Sequence, residues 1–371
     1  MTRDQIQENA LNILKGYNDK FNIGLAISMG VGKTLICLKY IDHYLSRNLL
    51  SANAKVLVVA PKLSIHDSWV DEANKHHLQN LVAHINFCTY LSLPKKTLSD
   101  YDIVILDECH NLLDRHDAVL SNYNGIVIGV TGTPPRDSHS KKGKLVEKHC
   151  PISFTYTVDN AVTEGILNDY EILIHMMDLD SSRTYQKQTK NKSYYTSEAE
   201  DYNYWCNAVM NANPGKDVQI KRIMRMKALM NYPSKERYAK DLFNYISDKV
   251  ILFANTKEQA AKLCTHSYYS GNNLSDVNLD MFKSGQINKL SCVLQLNEGV
   301  NIPDLKQGII MHSYGNERKS SQRLGRLLRL NPTEKGRIHI LCYANTVDEE
   351  WVRSAIQGYD ATKIKFVTRK K

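Results

Sequence analysis

The sequence predicts an α/β chain of two doubly wound parallel-sheet domains, with a helical insertion in the second. Three observations carry this expectation. Short β-branched runs alternate with helical patterns in the N-terminal half, at 24–28 (GLAIS), 56–60 (VLVVA), 103–106 (IVIL) and 126–130 (IVIGV). The same texture returns late, at 250–254 (VILFA), 292–296 (CVLQL), 308–312 (GIIMH) and 338–343 (IHILCY). Continuous apolar runs, rather than alternating ones, are what a parallel sheet covered on both faces requires. The length of 371 residues suits two domains at roughly 100–200 residues each. The expected division is a first domain at 1–150, a linker at 151–168 and a second domain at 169–371, with the helical insertion at about 181–245. Residues 135–150 (PRDSHSKKGKLVEKHC) are polar and basic and predict a mobile loop.

Composition excludes several classes. Hydrophobic residues make up 42% and charged residues 23%, a globular balance. No apolar stretch reaches the ~18–20 residues of a membrane span, and the polar, amphipathic start (MTRDQIQENALNIL) is unlike a secretory signal. The eight cysteines are scattered without a CxxC pair, which removes zinc-ribbon spacing and points to a reducing, cytoplasmic setting. Each cysteine reads as a small buried apolar residue, apart from Cys109, which lies inside an acidic motif. Lys plus Arg exceeds Asp plus Glu by 48 to 39, a formal charge of +9, which fits a polyanionic partner.

Three motifs carry chemistry. The first is Met29-Gly30-Val31-Gly32-Lys33-Thr34, after an apolar strand and before a helix, the context a phosphate-binding loop needs. Gly30 and Gly32 let backbone N–H groups approach phosphates, and the helix N-terminus adds positive charge. Lys33 would reach the β- and γ-phosphates and Thr34 would ligate Mg²⁺. The first glycine of the usual pattern is replaced by Ile27. The second is Tyr101 to His110 (YDIVILDECH), a strand that delivers Asp107 and Glu108 to the carboxyl edge of a sheet, where ligands bind in open α/β folds. Asp107 would hold Mg²⁺ and Glu108 would polarise an attacking water. The third is 322–329 (QRLGRLLR), which places Arg326 and Arg329 three apart on one helical face. Arginine stays charged and offers a planar donor fork, so the pair suits stabilisation of transferred phosphoryl charge.

With these motifs in order, the chain resembles the superfamily 2 helicases and translocases of DExH type. MGVGKT resembles motif I, 60–69 (APKLSIHDSW) motif Ia, 88–90 (CTY) motif Ib, 107–110 (DECH) motif II, 131–134 (TGTP) motif III, 250–256 (VILFANT) motif IV, 296–303 (LNEGVNIP) motif V and 322–329 motif VI. The resemblance implies two RecA-like domains of P-loop NTPase type with ATP bound between them. It adds Asn301 to the nucleotide contacts and makes Gln322, His110, Thr131 and Thr133 links between nucleotide state and nucleic acid. It makes Pro61, Lys62, Thr89, Tyr90, Asn255, Thr256 and Gly299 backbone contacts to nucleic acid, which position a strand but read no base. A glutamine that reads adenine precedes motif I in the family. Here helix register favours Gln7 and proximity to Arg3 favours Gln5.

TGTP resembles motif III of the DNA-directed branches, above all the restriction-type (ResIII-like) and phage or viral enzymes, so DNA is expected over RNA. The short spacing between motifs V and VI leaves no room for a long strand-separating hairpin. The expected protein is a minimal, monomeric motor, with a protein partner as a source of specificity. Alternatives are an RNA helicase, a double-strand translocase without strand separation, and a nucleotide-switched binding module. The insertion interleaves Tyr185, Tyr194, Tyr195, Tyr202, Tyr204 and Trp205 with Lys187, Lys190 and Lys192. Such a mixture serves either as a stacking surface for unpaired bases or as the insertion's own core. The basic tail at 363–371 is a further contact or a solvated end.

Overall fold

The structure is a computed structural model that describes residues 1–371 apart from 18–19, 29, 48–53, 64, 136, 168, 189–192, 294–301, 314–334, 358 and 369–371. It comprises two compact units, Met1–Leu167 and Asn168–Lys371.

In the first unit, α1 (Arg3–Lys15) precedes β1 (Asn22–Ile27), α2 (Lys33–Ser46), β2 (Val56–Ala60), α3 (Ile65–Lys75), β3 (Ile85–Thr89) and β4 (Ile103–Asp107). There follow α4 (Asp114–Ser121), β5 (Ile126–Thr131), α5 (Lys141–His149), β6 (Ile152–Tyr156) and α6 (Val158–Thr163). The strands form one parallel sheet in the order β3-β2-β4-β5-β1-β6. Both of its faces are covered, which explains the unbroken apolar runs. Along β2, Val56, Val58 and Ala60 join one core and Leu57 and Val59 the other. Because all strands run the same way, the turns after β1, β4 and β5 leave at one edge. The chain crosses from β1 to β2 and returns through β4 and β5, the kind of reversal beside which open α/β sheets bind ligands.

Two expectations are corrected here. Residues 151–168 do not form a free linker: 152–156 is a sixth strand, and Ala161 and Leu167 lie in the same core as β1. The cause is the open edge of β1, whose Gly24 N–H donates to Pro151 O at 2.7 Å and whose following Ser28 N–H donates to Tyr156 O at 2.8 Å. An unpaired edge would leave these groups without partners. Residues 135–150 are not simply a mobile loop. Ser140 caps α5, Leu145 and Val146 are buried, and His149 bonds Asp117 at 2.6 Å.

The second unit holds a seven-stranded parallel sheet in the order β11-β12-β10-β13-β14-β7-β15. Its strands are β7 (Tyr170–Met177), β10 (Val250–Ala254), β11 (Ser267–Tyr268), β12 (Lys289–Val293), β13 (Gln307–Ile310), β14 (Gly336–Tyr343) and β15 (Ile364–Thr368). The segment expected as a helical insertion opens instead with an antiparallel hairpin, β8 (Tyr185–Gln188) with β9 (Ser193–Thr196). Helices α7 (Glu198–Met210), α8 (Lys216–Asn231) and α9 (Pro233–Tyr245) follow. All three reach the core of the unit, α7 through Tyr202, α8 through Leu229 and α9 through Ala239 and Phe243. The aromatics divide: Tyr202 is buried and Tyr185 packs on the core, whereas Tyr194, Tyr195 and Tyr204 are exposed. The tail is partly spent within the fold, because Lys363 pairs with Asp169 and Lys365 with Glu171 beside β15. Among the described residues no helix is long and apolar enough to cross a membrane.

Candidate nucleotide site

The loop between β1 and α2 is shaped by two glycines with positive φ, Gly30 at 89° and Gly32 at 106°. Gly32 is the N-cap of α2 and offers no side-chain cap, so the first amides of that helix are left for a ligand. A Cβ on Gly32 would meet Gln7 Nε2 at 2.5 Å. Gln7 itself is buried and donates through Nε2 to Val31 O at 2.7 Å, while its Oε1 is buried without a partner among the described residues. Arg3 donates to Gly30 O. Gln5 is used differently: its side chain accepts from Thr2 N–H at 2.7 Å and completes the capping box of α1. The two glutamines that spacing left open therefore differ in place, with Gln7 against the loop and Gln5 exposed at the helix start.

The acidic motif meets this loop. Lys33 Nζ donates to Ile27 O at 3.4 Å and lies 3.9 Å from Glu108 Oε1. Thr34 follows it in the first turn of α2, half-buried. Glu108 adopts a left-handed conformation, φ 53° and ψ 56°, a sparsely populated region for a residue with a Cβ and a common form of strain at functional sites. Its Oε2 accepts from Thr131 Oγ1 at 3.1 Å and from Gly132 N–H at 3.4 Å, and His110 Nδ1 lies 3.3 Å away. Burial alone would raise the carboxyl's pKa. The Lys33 and His110 charges, the Gly132 amide and the Thr131 hydroxyl outweigh it and hold the group below its ordinary value.

His110 is 2% exposed and bonds Thr131 Oγ1 at 2.7 Å and Thr133 Oγ1 at 3.3 Å. Thr133 N–H donates to Thr131 Oγ1 at 3.1 Å. Lys33, Glu108, His110, Thr131 and Thr133 thus form one connected cluster at the carboxyl edge of β1, β4 and β5. Asp107 ends β4, and its carboxylate accepts from Trp69 Nε1 at 3.4 Å. Cys109 packs beside Cys150, and its thiol is pushed well up by the hydrogen bond to Cys150 and by burial. Packing accounts for it, as for the other cysteines.

The residues expected at a nucleic-acid face lie in both units. Pro61 and Thr89 are half-buried and Lys62 is exposed. Tyr90 is 5% exposed, and its hydroxyl donates to Asp107 O at 2.9 Å. That removes its side chain as a surface contact. In the second unit, Thr256 caps the helix Lys257–Leu263 by accepting from Gln259 N–H, and Asn255 N–H donates to Gln259 Oε1. Met29, Gly299, Asn301, Gln322, Arg326 and Arg329 lie outside the described residues. The inward roles of Trp69 and Tyr90, and the Gly132 amide on Glu108, escaped the sequence reading. A tryptophan inside the helix that follows a strand reads as core and carries no polar signal of its own. A cavity of about 480 Å³, lined among others by Lys20, Tyr44, Asp102 and Tyr123, lies at the opposite edge of the first sheet and takes no part in this cluster.

Comparison with known proteins agrees with this arrangement. Residues 1–136 match the family "Type III restriction enzyme, res subunit", and 234–331 match "Helicase conserved C-terminal domain". The chain is 22% identical over 349 residues to the DNA 3'-5' translocase XPB2 of Sulfurisphaera tokodaii, covering 85% of this chain and 77% of that protein. In fold it is similar to the Hef helicase domain of Pyrococcus furiosus, with a TM-score of 0.52, 16% identity, and coverage of 95% of this chain and 97% of that one. It is also similar to the Type ISP restriction-modification enzyme LlaBIII bound to DNA, with a TM-score of 0.63, 16% identity, and coverage of 99% of this chain and 31% of that one. Two helicase-family matches in order on two parallel α/β units identify the chain as a superfamily 2 helicase related to restriction-type enzymes.

Proposed function

We propose that this protein is a DExH-type ATPase that moves along or separates DNA. The observation that carries the proposal is the Lys33–Glu108–Thr131–His110 cluster beside a glycine-formed loop. The free amides at the start of α2 bind phosphate oxygens, and Lys33 neutralises the β- and γ-phosphates. Glu108, kept ionised by its neighbours, orients a water and accepts its proton. Thr34 and Asp107 offer hard oxygen donors, one hydroxyl and one carboxylate, a set that suits Mg²⁺ shared with substrate phosphates. When bound, that ion supplies charge neutralisation at the phosphates. Gln7, whose Oε1 is buried and has no partner among the described residues, is the better placed of the two glutamines to receive an adenine amine. Met29, Gly30, Val31 and Asn301 complete the proposed nucleotide contacts. Arg326 and Arg329, with Gln322, are the proposed cations and polar partner for transferred phosphoryl charge.

The choice of DNA is supported by the similarity to a protein named as a DNA translocase and by the +9 formal charge. The proposed contacts at Pro61, Lys62, Thr89, Asn255, Thr256 and Gly299 follow a backbone and read no base, so a protein partner is proposed to supply specificity to a monomeric motor. Lys33→Ala and Glu108→Gln are expected to lower ATP turnover by at least ~100-fold, read as phosphate release at saturating Mg²⁺ and DNA. Glu108→Gln should still bind nucleotide. Wild-type turnover in either variant would refute the site.

A further inference from the structure

Two aromatic side chains from different segments converge on Asp107. Trp69, in α3, donates through its indole N–H to the carboxylate, Nε1 to Oδ2 at 3.4 Å. Tyr90, just past β3, donates through its hydroxyl to the Asp107 carbonyl at 2.9 Å. Trp69 is 1% exposed and Tyr90 5%, so both donors are held inside the fold while Asp107 itself is half-buried. Each is also fixed from behind. Trp69 packs edge-on against Phe87, ring centroids 6.2 Å apart. The Tyr90 carbonyl is bonded by His116 Nε2 at 2.8 Å, with the two rings 5.6 Å apart.

Their positions in the chain give the arrangement meaning. Strands β3, β2 and β4 are neighbours in the first sheet, and the segments after β2 and β3 leave at the same edge as Asp107. Pro61 and Lys62 follow β2, and Thr89 ends β3; these are the proposed DNA contacts of this unit. Each segment therefore has an outward part that meets solvent and an inward aromatic donor on Asp107. We propose that Trp69 and Tyr90 are positioning residues that tie the two strand-contact segments to Asp107, so that DNA on the outer side sets the carboxylate's placement on the inner side. This rests on the function proposed above. The two donors are packed, Trp69 on Phe87 and Tyr90 on His116, so a shift of either segment is carried to its bond with Asp107. The bond to the carbonyl acts on the backbone at the end of β4 and the bond to Oδ2 on the side chain, so the two contacts constrain different degrees of freedom.

The test uses the full chain with Tyr90→Phe, which keeps the ring and its packing on His116 but removes the donor. Trp69→Phe is the second variant, retaining an aromatic ring beside Phe87. ATP hydrolysis is followed across a Mg²⁺ titration, without DNA and with saturating DNA, and nucleotide-free DNA affinity is measured separately. The expected result for each variant is a fall of about 3–10-fold in the ratio of stimulated to basal rate. A higher half-saturating Mg²⁺ concentration is expected as well, with DNA affinity within about twofold of wild type. A purely structural role would lower thermal stability without moving the Mg²⁺ midpoint. Unchanged stimulation and Mg²⁺ dependence in Tyr90→Phe would overturn the proposal. So would lost DNA affinity with full stimulation once DNA is saturating, because Tyr90 would then act as a contact. Wild-type protein that DNA does not stimulate would overturn the functional reading first, and this inference with it.

Discussion

Glu108 gathers most of the chemistry of the first unit into one side chain. Burial works against its charge, and four neighbours restore it: Lys33, His110, the Gly132 amide and the Thr131 hydroxyl. Removing one of these raises the carboxyl's pKa, since each favours the ionised form. Thr131→Val is therefore expected to move the acid limb of the ATPase pH profile to higher pH, and Thr131→Ser to leave it in place. An acid limb in Thr131→Val that coincides with wild type would remove Thr131 from this role. At this scale the sequence was highly legible. The loop and the acidic pair lie in short contiguous motifs, and strand-then-turn spacing puts both at one sheet edge. Gln5 against Gln7 was not decidable by spacing, because the capping box that occupies Gln5 depends on the local geometry of Thr2. The convergence of Trp69 and Tyr90 was also hidden, because it depends on which strands are neighbours.

At the scale of elements, the second unit is organised by buried polar groups. Lys235 is fully buried, pairs with Asp348 and lies 4.5 Å from the Tyr343 ring centroid. Ser234 beside it donates to Glu198 Oε2 at 2.6 Å, and its N–H donates to Glu198 Oε1 at 2.8 Å. These contacts join α7 and α9 to β14 and to the helix Val347–Ile356. Lys235→Ala strands a buried carboxylate and is expected to destabilise the second unit by about 3–5 kcal/mol in denaturant unfolding. A paired Lys235→Met, Asp348→Leu replacement should recover most of the loss. A loss under about 1 kcal/mol for the single variant would show the pair to be solvent-relaxed.

A second polar chain runs across the strands of the same sheet. Tyr238 OH meets His175 Nδ1 at 2.7 Å, His175 Nε2 meets His339 Nδ1 at 2.9 Å, and His339 Nε2 meets Gln307 Oε1 at 2.8 Å. Burial lowers His175 to about 4. Burial, with the His175 and Arg337 charges, lowers His339 to about 3. Both values fall below the ordinary 6.5, so between these limits the unfolded chain binds more protons than the folded one. The resulting stability is full above about pH 6.5 and is lost as pH falls. Denaturant midpoints at pH 7.5 and pH 5 should show this fall, and His339→Gln should flatten it. An equal fall in wild type and variant would assign the acid sensitivity elsewhere. The same elements explain where sequence reading stopped. Four strands of each sheet are legible as apolar runs, whereas β3, β6, β7, β11 and β15 are not; of these, 152–156 has the alternating exposure of an edge strand and reads as a linker. The antiparallel pair of 185–188 and 193–196 mixes tyrosine with Gln, Lys, Ser and Thr on each face, so it offers no clean hydrophobic period to read.

For the whole molecule, two parallel-sheet units and a net charge of +9 describe a motor that acts on a polyanion. A ligand-gated binding module would need the phosphate loop but not an ionised Glu108, and the four groups that maintain that charge favour turnover. Contacts that follow phosphates release counterions, so DNA affinity should weaken steeply with salt. The most direct test is steady-state ATP hydrolysis by the full chain with Mg²⁺, alone and with single-stranded DNA, double-stranded DNA or RNA, at two salt concentrations. Turnover that DNA stimulates more than RNA, and less at the higher salt, is the result expected of an ATP-driven DNA motor. Turnover that no nucleic acid changes, or that RNA alone stimulates, would contradict it.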